Sequence, residues 1–304
     1  MRKKLVLIGG PTGVGKTKLA IEIAKLFNGE IISCDSVAIY KQLDIGSAKP
    51  TILEQQQANH HLIDILEPFE TYSVAEYKKD AKNVIENIYK NNKLPIVVGG
   101  TGLYMKGLLF PLELGNSDKD EVLRAKYHKL AEEKGGKYLL DYLGSFDPES
   151  AQKLHEKDIT RIIRAIEIYE LTGIKKSSIK TELNSEYDYF LIFLNDNRKD
   201  LYNRINNRVE EMFNLGLETE VKNLIQNYNL TNSNQSMSAI GYKEFFDYFD
   251  NKISKSELIE KIKLNSRHYA KRQITWFKSM PKVKEYNCKN TSQILEDIKK
   301  FLND

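Results

Sequence analysis

The sequence of 304 residues predicts an α/β fold: a parallel sheet with helices on both faces, interrupted by a helical insertion. Three features carry that expectation. Short apolar runs alternate with amphipathic, helix-length segments through the N-terminal third, as strands buried on both faces require. A glycine-rich turn, GGPTGVGKT at residues 9–17, lies between the first run and the first such segment. Charged, strandless sequence from about Asp118 to Gly173 then precedes another apolar run, YDYFLIFL at 187–194.

Lys4–Ile8 is the first expected strand, and Thr17–Phe27 the first helix, because Leu19, Ala20, Ile23, Ala24 and Phe27 recur at helical spacing. Glu30–Ser33 and His61–Leu66 read as short strands, Val74–Tyr89 as an amphipathic helix and Leu94–Val98 as a buried strand. Ligands of such sheets bind outside the carboxyl ends of the strands, and Asp35, Gly99, Gly100 and Thr101 all follow strand ends. Beyond Asp200 the pattern is helical, broken near Asn227–Ser238, at Asn251 and at Pro281. The expected domains are therefore residues 1–113 with 186–304 as the core, and 114–185 as the insertion.

With 41% hydrophobic and 29% charged residues, the composition is that of a soluble globular protein. The apolar run after Arg2, Lys3 and Lys4 stops at Gly9, too short for a signal-peptide core or a membrane span, so a cytoplasmic protein with no membrane partner is expected. Cys34 and Cys288 form neither a disulfide framework nor a metal-ligand set, which agrees with a reducing compartment and points any metal to oxygen ligands. A net charge of +4 does not by itself announce a nucleic-acid partner.

Gly10, Pro11, Thr12, Gly13, Val14, Gly15, Lys16 and Thr17 spell the P-loop pattern G-x-x-x-x-G-K-[ST]. Its glycines turn backbone N–H groups toward an anion, Lys16 adds a compact positive charge, and the Thr17 hydroxyl can ligate Mg²⁺. The fold is accordingly P-loop NTPase-like. Asp35 fits a Mg²⁺ ligand, a general base, or a helix or loop anchor. VGGTGLY at 98–104 offers Thr101 and Tyr104 as polar contacts, while Gly99 and Gly100 serve either a ligand or close packing.

Three helical stretches gather cations. Ile159, Ile162, Ile163 and Ile166 form a core side that leaves Arg161 and Arg164 on another surface. Leu201, Ile205, Val209 and Met212 form a second stripe, with Arg204 and Arg208 four residues apart. Arg267 with Lys271 and His268 with Arg272 neighbour Tyr269, Trp276 and Phe277, the last two expected in the core. Arginines around a P-loop suit pyrophosphate clamping or a nucleic-acid backbone.

Taken in order, GPTGVGKT, DSVAIYKQLDIGSAKP, HHLIDI, YSVAEY, PIVVGGTGLY, DPESAQKLH with RIIRAIEIYELTG, NRVEEMFNLGLETEV, SAIGYKE and YAKRQITWF closely resemble the tRNA dimethylallyltransferase family, across residues 10–277. These isopentenyltransferases modify the adenosine next to the anticodon. The resemblance implies transfer of a dimethylallyl group from dimethylallyl diphosphate to N6 of adenosine 37, in tRNAs reading codons that begin with U. It implies that Gly10 to Thr17 hold the diphosphate, that Thr17 ligates Mg²⁺ as cofactor, that Asp35 is the general base and that Arg208 binds the pyrophosphate. It also implies tRNA contacts from Asp35, Ser36, Val37, Ala38, Thr101, Arg124, Thr160, Arg161, Ile162, Ile163 and Arg164, an insertion that grips the anticodon stem, and a monomer. Ala38 and Ser238 stand where many relatives have Gln, and Ser47 replaces the usual Thr. A P-loop kinase of a small metabolite is the alternative, and Arg204 competes with Arg208 for the dominant diphosphate contact.

Overall fold

The structure, a computed structural model, describes residues 2–111, 120–179, 183 and 185–304. It divides into two units, Met1–Leu109 with Ser185–Asp304, and Phe110–Asn184. The expected boundary at 113/114 lies outside the described residues.

In the larger unit the chain runs β1 (Lys3–Gly9), α1 (Lys16–Leu26), β2 (Gly29–Ser33), α2 (Ile52–Gln55), β3 (His60–His61), α3 (Val74–Lys90), β4 (Leu94–Gly99) and α4 (Gly102–Leu109). The smaller unit follows with α5 (Glu121–Phe146), α6 (Pro148–Gln152) and α7 (Ile159–Thr172). The larger unit resumes with β5 (Tyr187–Asn195), α8 (Arg198–Asn214), α9 (Leu217–Tyr228), α10 (Glu244–Phe249), α11 (Lys255–Lys278), β6 (Val283–Asn287) and α12 (Thr291–Asn303).

All six strands are parallel, in the order β3-β2-β4-β1-β5-β6. β1 lies inside because Leu5 to Ile8 are apolar throughout and can be buried on both faces. Val6, Ile8, Ile96, Val98, Ile192 and Leu194 share one core with Leu19 and Ile23 of α1, Leu201 and Ile205 of α8, and Ile294 and Ile298 of α12. On the other face α3 packs against β2 and β4, and Phe193 of β5 stacks on Phe277 of α11 with ring centroids 6.1 Å apart. Parallel strands with helices on both faces are thus as the sequence predicts.

Two elements differ from expectation. The strand expected over His61–Leu66 is only His60–His61, because Leu62 and Asp64 take positive φ (59° and 56°) and turn the chain away. The strand β6 falls in sequence expected to be helical; it is a sheet edge whose one buried residue is Tyr286, so it carries neither an apolar run nor a clear alternation.

The smaller unit is helical. Tyr127, Leu139 and Leu143 of α5 pack on Ile162, Ile163, Ala165 and Ile166 of α7, and α5 breaks at Gly135 (φ 82°, ψ 160°).

At the amino end of the sheet, Glu30 ties β2 to its neighbours. Its carboxylate accepts from Lys93 (2.6 Å) and Asn59 (3.0 Å) and pairs with His61 (2.6 Å). Burial alone would raise the Glu30 pKa, but the bonds from Lys93, His61 and Asn59 prevail and hold it down to about 2. A depressed folded-state pKa stabilises above the unfolded-state value and loses that stabilisation as pH falls toward the folded one. Glu30→Gln should therefore lower stability near neutral pH by about 1–2 kcal/mol, with Lys93 and His61 a third exposed. Thermal melts should show the gap from the parent closing between about pH 5 and pH 2; a gap independent of pH would refute this account.

Candidate active site

The glycine-rich loop leaves the carboxyl end of the central strand β1 and enters α1 through Gly15, whose φ of 97° is closed to most side chains. The first turn of α1 has neither an acidic residue nor a side-chain cap, so its backbone N–H groups form an anion-binding end. Lys16 Nζ donates to the carbonyls of Gly10 (3.0 Å) and Pro11 (2.9 Å). Burial lowers the Lys16 pKa to about 8; nearby Asp35 opposes this shift and Arg208 adds to it.

Asp35 follows β2, two places from β1 in the sheet. One carboxylate oxygen accepts from Val37 N (2.9 Å) and Ala38 N (3.2 Å), fixing the turn. The other has no hydrogen bond among the described residues. Thr101 N donates to the Cys34 carbonyl (3.1 Å), and Thr101 Oγ1 accepts from Ser36 N (3.0 Å). The structure therefore brings together the P-loop, Asp35, Ser36 and Thr101.

Gly99 and Gly100 are explained by packing. A Cβ at Gly99 would overlap the Cys34 carbonyl, and one at Gly100 the side-chain amide of Gln273. Tyr104, expected as a polar contact, is instead buried and stacked on Tyr77 at 4.5 Å. Ala38 is buried too, its methyl turned from solvent.

The two arginines of α8 separate by their partners. Arg204 donates to the Gly13 carbonyl (2.9 Å) and pairs with the buried Asp196 at 2.8 Å. Among the described residues, Arg208 hydrogen-bonds only the Thr12 hydroxyl, at 3.4 Å. Burial lowers the Arg208 pKa, against the pull of Glu211, Glu54 and Asp35. Arg204 is tied to the loop and to Asp196, whereas Arg208 leaves most of its donors without a partner among the described residues.

Three contributors escape a motif-based reading. Gln273 of α11 accepts from Thr12 N (2.9 Å) and donates to the Gly100 carbonyl (3.0 Å). Tyr269, one turn earlier, lies near Thr101 and Asp35; burial and then the charge of Asp35 push its pKa up to about 12. Glu220 accepts from the N–H groups of Asp44, Ile45 and Gly46 and from the Tyr242 hydroxyl, holding the loop that follows Ala38. The only sequence signal of Gln273 and Glu220 is membership in the segments YAKRQITWF and LETEV, and Tyr269 stands out only as an aromatic among the cations of its helix. Phe277 is in the core as expected, but Trp276 is partly exposed.

In the smaller unit Thr160 and Arg161 are exposed at the start of α7. Ile162 and Ile163 are buried there, so their expected contact with tRNA cannot come from their side chains. Arg164, expected on an open surface, turns to the buried Glu167, which also takes both Arg124 Nε and Nη2 at 2.8 Å. Burial tends to raise the Glu167 pKa, yet the two arginines hold it down to about 2.

Among the described residues no three His, Cys, Asp or Glu side chains converge on a point. Mg²⁺ nevertheless fits, since it favours few protein oxygens plus substrate phosphates and water, and Thr17 offers such an oxygen beside the anion-binding helix end.

A glycine-rich loop at the end of a central parallel strand, with Lys16 and Arg208 converging on it, defines a P-loop protein built to hold a polyphosphate group. The model of the IPP transferase family matches residues 38–280, and the chain belongs to that family. It is 47% identical to the tRNA dimethylallyltransferase of Thermoanaerobacter sp. (strain X514) across 99% of this chain and 98% of that one. Among solved structures, the full-length tRNA isopentenylpyrophosphate transferase from Bacillus halodurans is 39% identical, with a TM-score of 0.75 over 99% of this chain and 97% of that one. A eukaryotic dimethylallyltransferase acting on tRNA is 31% identical, with a TM-score of 0.80 over 96% of this chain and 75% of that one.

Arg204→Ala should destabilise the protein by about 2–3 kcal/mol, because the buried Asp196 carboxylate loses its countercharge. Arg208→Ala should leave the protein at least as stable as the parent, since among the described residues no carboxylate bonds to it and burial disfavours its charge. Urea unfolding of both variants tests the distinction, and equal losses would refute it.

Proposed function

We propose that the chain transfers the dimethylallyl group of dimethylallyl diphosphate to N6 of adenosine 37, in tRNAs reading codons that begin with U. The observation that carries this reading is Asp35, a carboxylate anchored through one oxygen with the other open, at the same sheet end as the P-loop and close enough to Lys16 to shift its pKa. A kinase acting on a small metabolite finds no support among relatives named for dimethylallyl transfer.

The loop amides, Lys16 and Arg208 would hold the diphosphate. As the allylic C–O bond breaks, they neutralise the charge that develops on the leaving group. Mg²⁺, ligated by Thr17 and diphosphate oxygens, would add to that neutralisation. The exocyclic amine is a weak nucleophile until it loses a proton, so Asp35 accepts the N6 proton while the new C–N bond forms. Thr101 and Ser36, bonded to each other beside Asp35, would orient the base.

Adenosine has to leave the anticodon stack, at a cost of a few kcal/mol that protein contacts offset. The helical unit would grip the anticodon stem, Thr160 and Arg161 at phosphates and Arg124 with Arg164 as a pair fixed by Glu167. A monomer acting in the cytoplasm belongs to this reading, in which Asp35, Lys16 and Arg208 all come from one chain. No helix among the described residues is long and apolar enough to cross a membrane.

Incubation with Mg²⁺, dimethylallyl diphosphate and unmodified tRNA, followed by nucleoside mass analysis, should yield N6-dimethylallyladenosine. Asp35→Asn should lower kcat by about 10²–10⁴ while tRNA binding survives; product at the parental rate would exclude Asp35 as base. Lys16 sets a pH limit, because its cationic form, which binds diphosphate, is lost as pH rises through about 8. In steady-state kinetics, kcat/KM for dimethylallyl diphosphate should fall above that pH, with kcat less affected because bound diphosphate keeps Lys16 charged. A flat kcat/KM profile to about pH 9.5 would contradict that role.

A further inference from the structure

We infer that Gln273 is a positioning residue that sets the distance between the diphosphate loop and the base-binding loop. It is 5% exposed, and its amide bridges two backbones that no other side chain joins directly among the described hydrogen bonds. Oε1 faces the Thr12 N–H and Nε2 faces the Gly100 carbonyl, the only amide orientation that does not set donor against donor and acceptor against acceptor.

Both ends lead to reacting groups. Thr12 carries the hydroxyl that Arg208 contacts, and Gly100 immediately precedes Thr101, which holds Ser36 beside Asp35. A shift in either loop would change how far the leaving diphosphate lies from the attacking amine, and rates are steep in that separation. An amide suits this position because it supplies one donor and one acceptor without adding a buried charge.

The inference rests on the proposed prenyl transfer, and the test keeps the two apart. Gln273→Met removes both bonds at similar volume. Gln273→Glu keeps the acceptor but sets a carboxylate against the Gly100 carbonyl, until protonation restores a donor there. For both variants, kcat near pH 7.5 should fall at least tenfold, with KM for tRNA within threefold of the parent and melting showing a folded protein. Measured from about pH 8.5 to pH 5.5, the kcat ratio of Gln273→Glu to the parent should rise as pH falls, while that of Gln273→Met stays flat. Inorganic diphosphate, titrated calorimetrically with Mg²⁺, should bind both variants more weakly than the parent.

Rates within threefold of the parent in both folded variants would overturn the role, as would a Gln273→Glu ratio that does not respond to pH. If the parent makes no prenylated adenosine, the functional reading fails; the diphosphate titration then still decides the inference, and unchanged affinity in both variants would overturn it.

Discussion

The close approach of α11 to the carboxyl edge of the sheet governs the rest of the site. Phe277 rests on Gly9, Gln273 on Gly100, and the Trp276 indole on Gly102; a Cβ at any of the three would overlap those side chains. Bare backbone at these strand ends lets a 24-residue helix lie within hydrogen-bonding reach of the P-loop and the Thr101 turn together. Phe277, fully buried against Phe193, holds the apolar side of that contact, and a capping box of Ser254 and Glu257 fixes the helix at its far end. Core packing and the contact with both loops thus come from the same helix face.

Within each unit, cations differ in whether their charge is already answered. Arg204 is spent on Asp196 and the Gly13 carbonyl, and the arginine pair of the helical unit is spent on Glu167. Among the described residues Lys16 and Arg208 have no carboxylate within bonding distance, and burial disfavours the charged form of each. A buried, unpaired cation is costly, and a bound diphosphate would relieve two at once. This imbalance separates Lys16 and Arg208 from the other cations more sharply than residue type does, since all of these residues are Lys or Arg.

The sheet was legible where strands are buried on both faces, because β1, β4 and β5 need unbroken apolar runs. It was illegible at the edges: β6 uses a mostly exposed VKEYN, and the apolar residues of HLIDIL are spent on a turn. The P-loop could be read because its chemistry demands a fixed pattern, but Arg204 and Arg208 share one helix face and differ only by an acidic partner eight residues before Arg204. Gln273 was hidden because both its partners are backbone groups, which leave no trace in residue identity.

Asp35 and Gly100 show why a structural and a functional reading of one residue need not compete. Anchoring the turn through one oxygen is what denies the Asp35 carboxylate its rotation and gives the remaining oxygen a defined direction. A base used only for proton transfer could swing toward Lys16 and be neutralised there. Gly100 gives way to Gln273 for packing, and through that contact the diphosphate loop and the base-binding turn share a common support. Pre-organisation here is the local packing itself, so the catalytic geometry and the stability of these loops rest on the same few contacts.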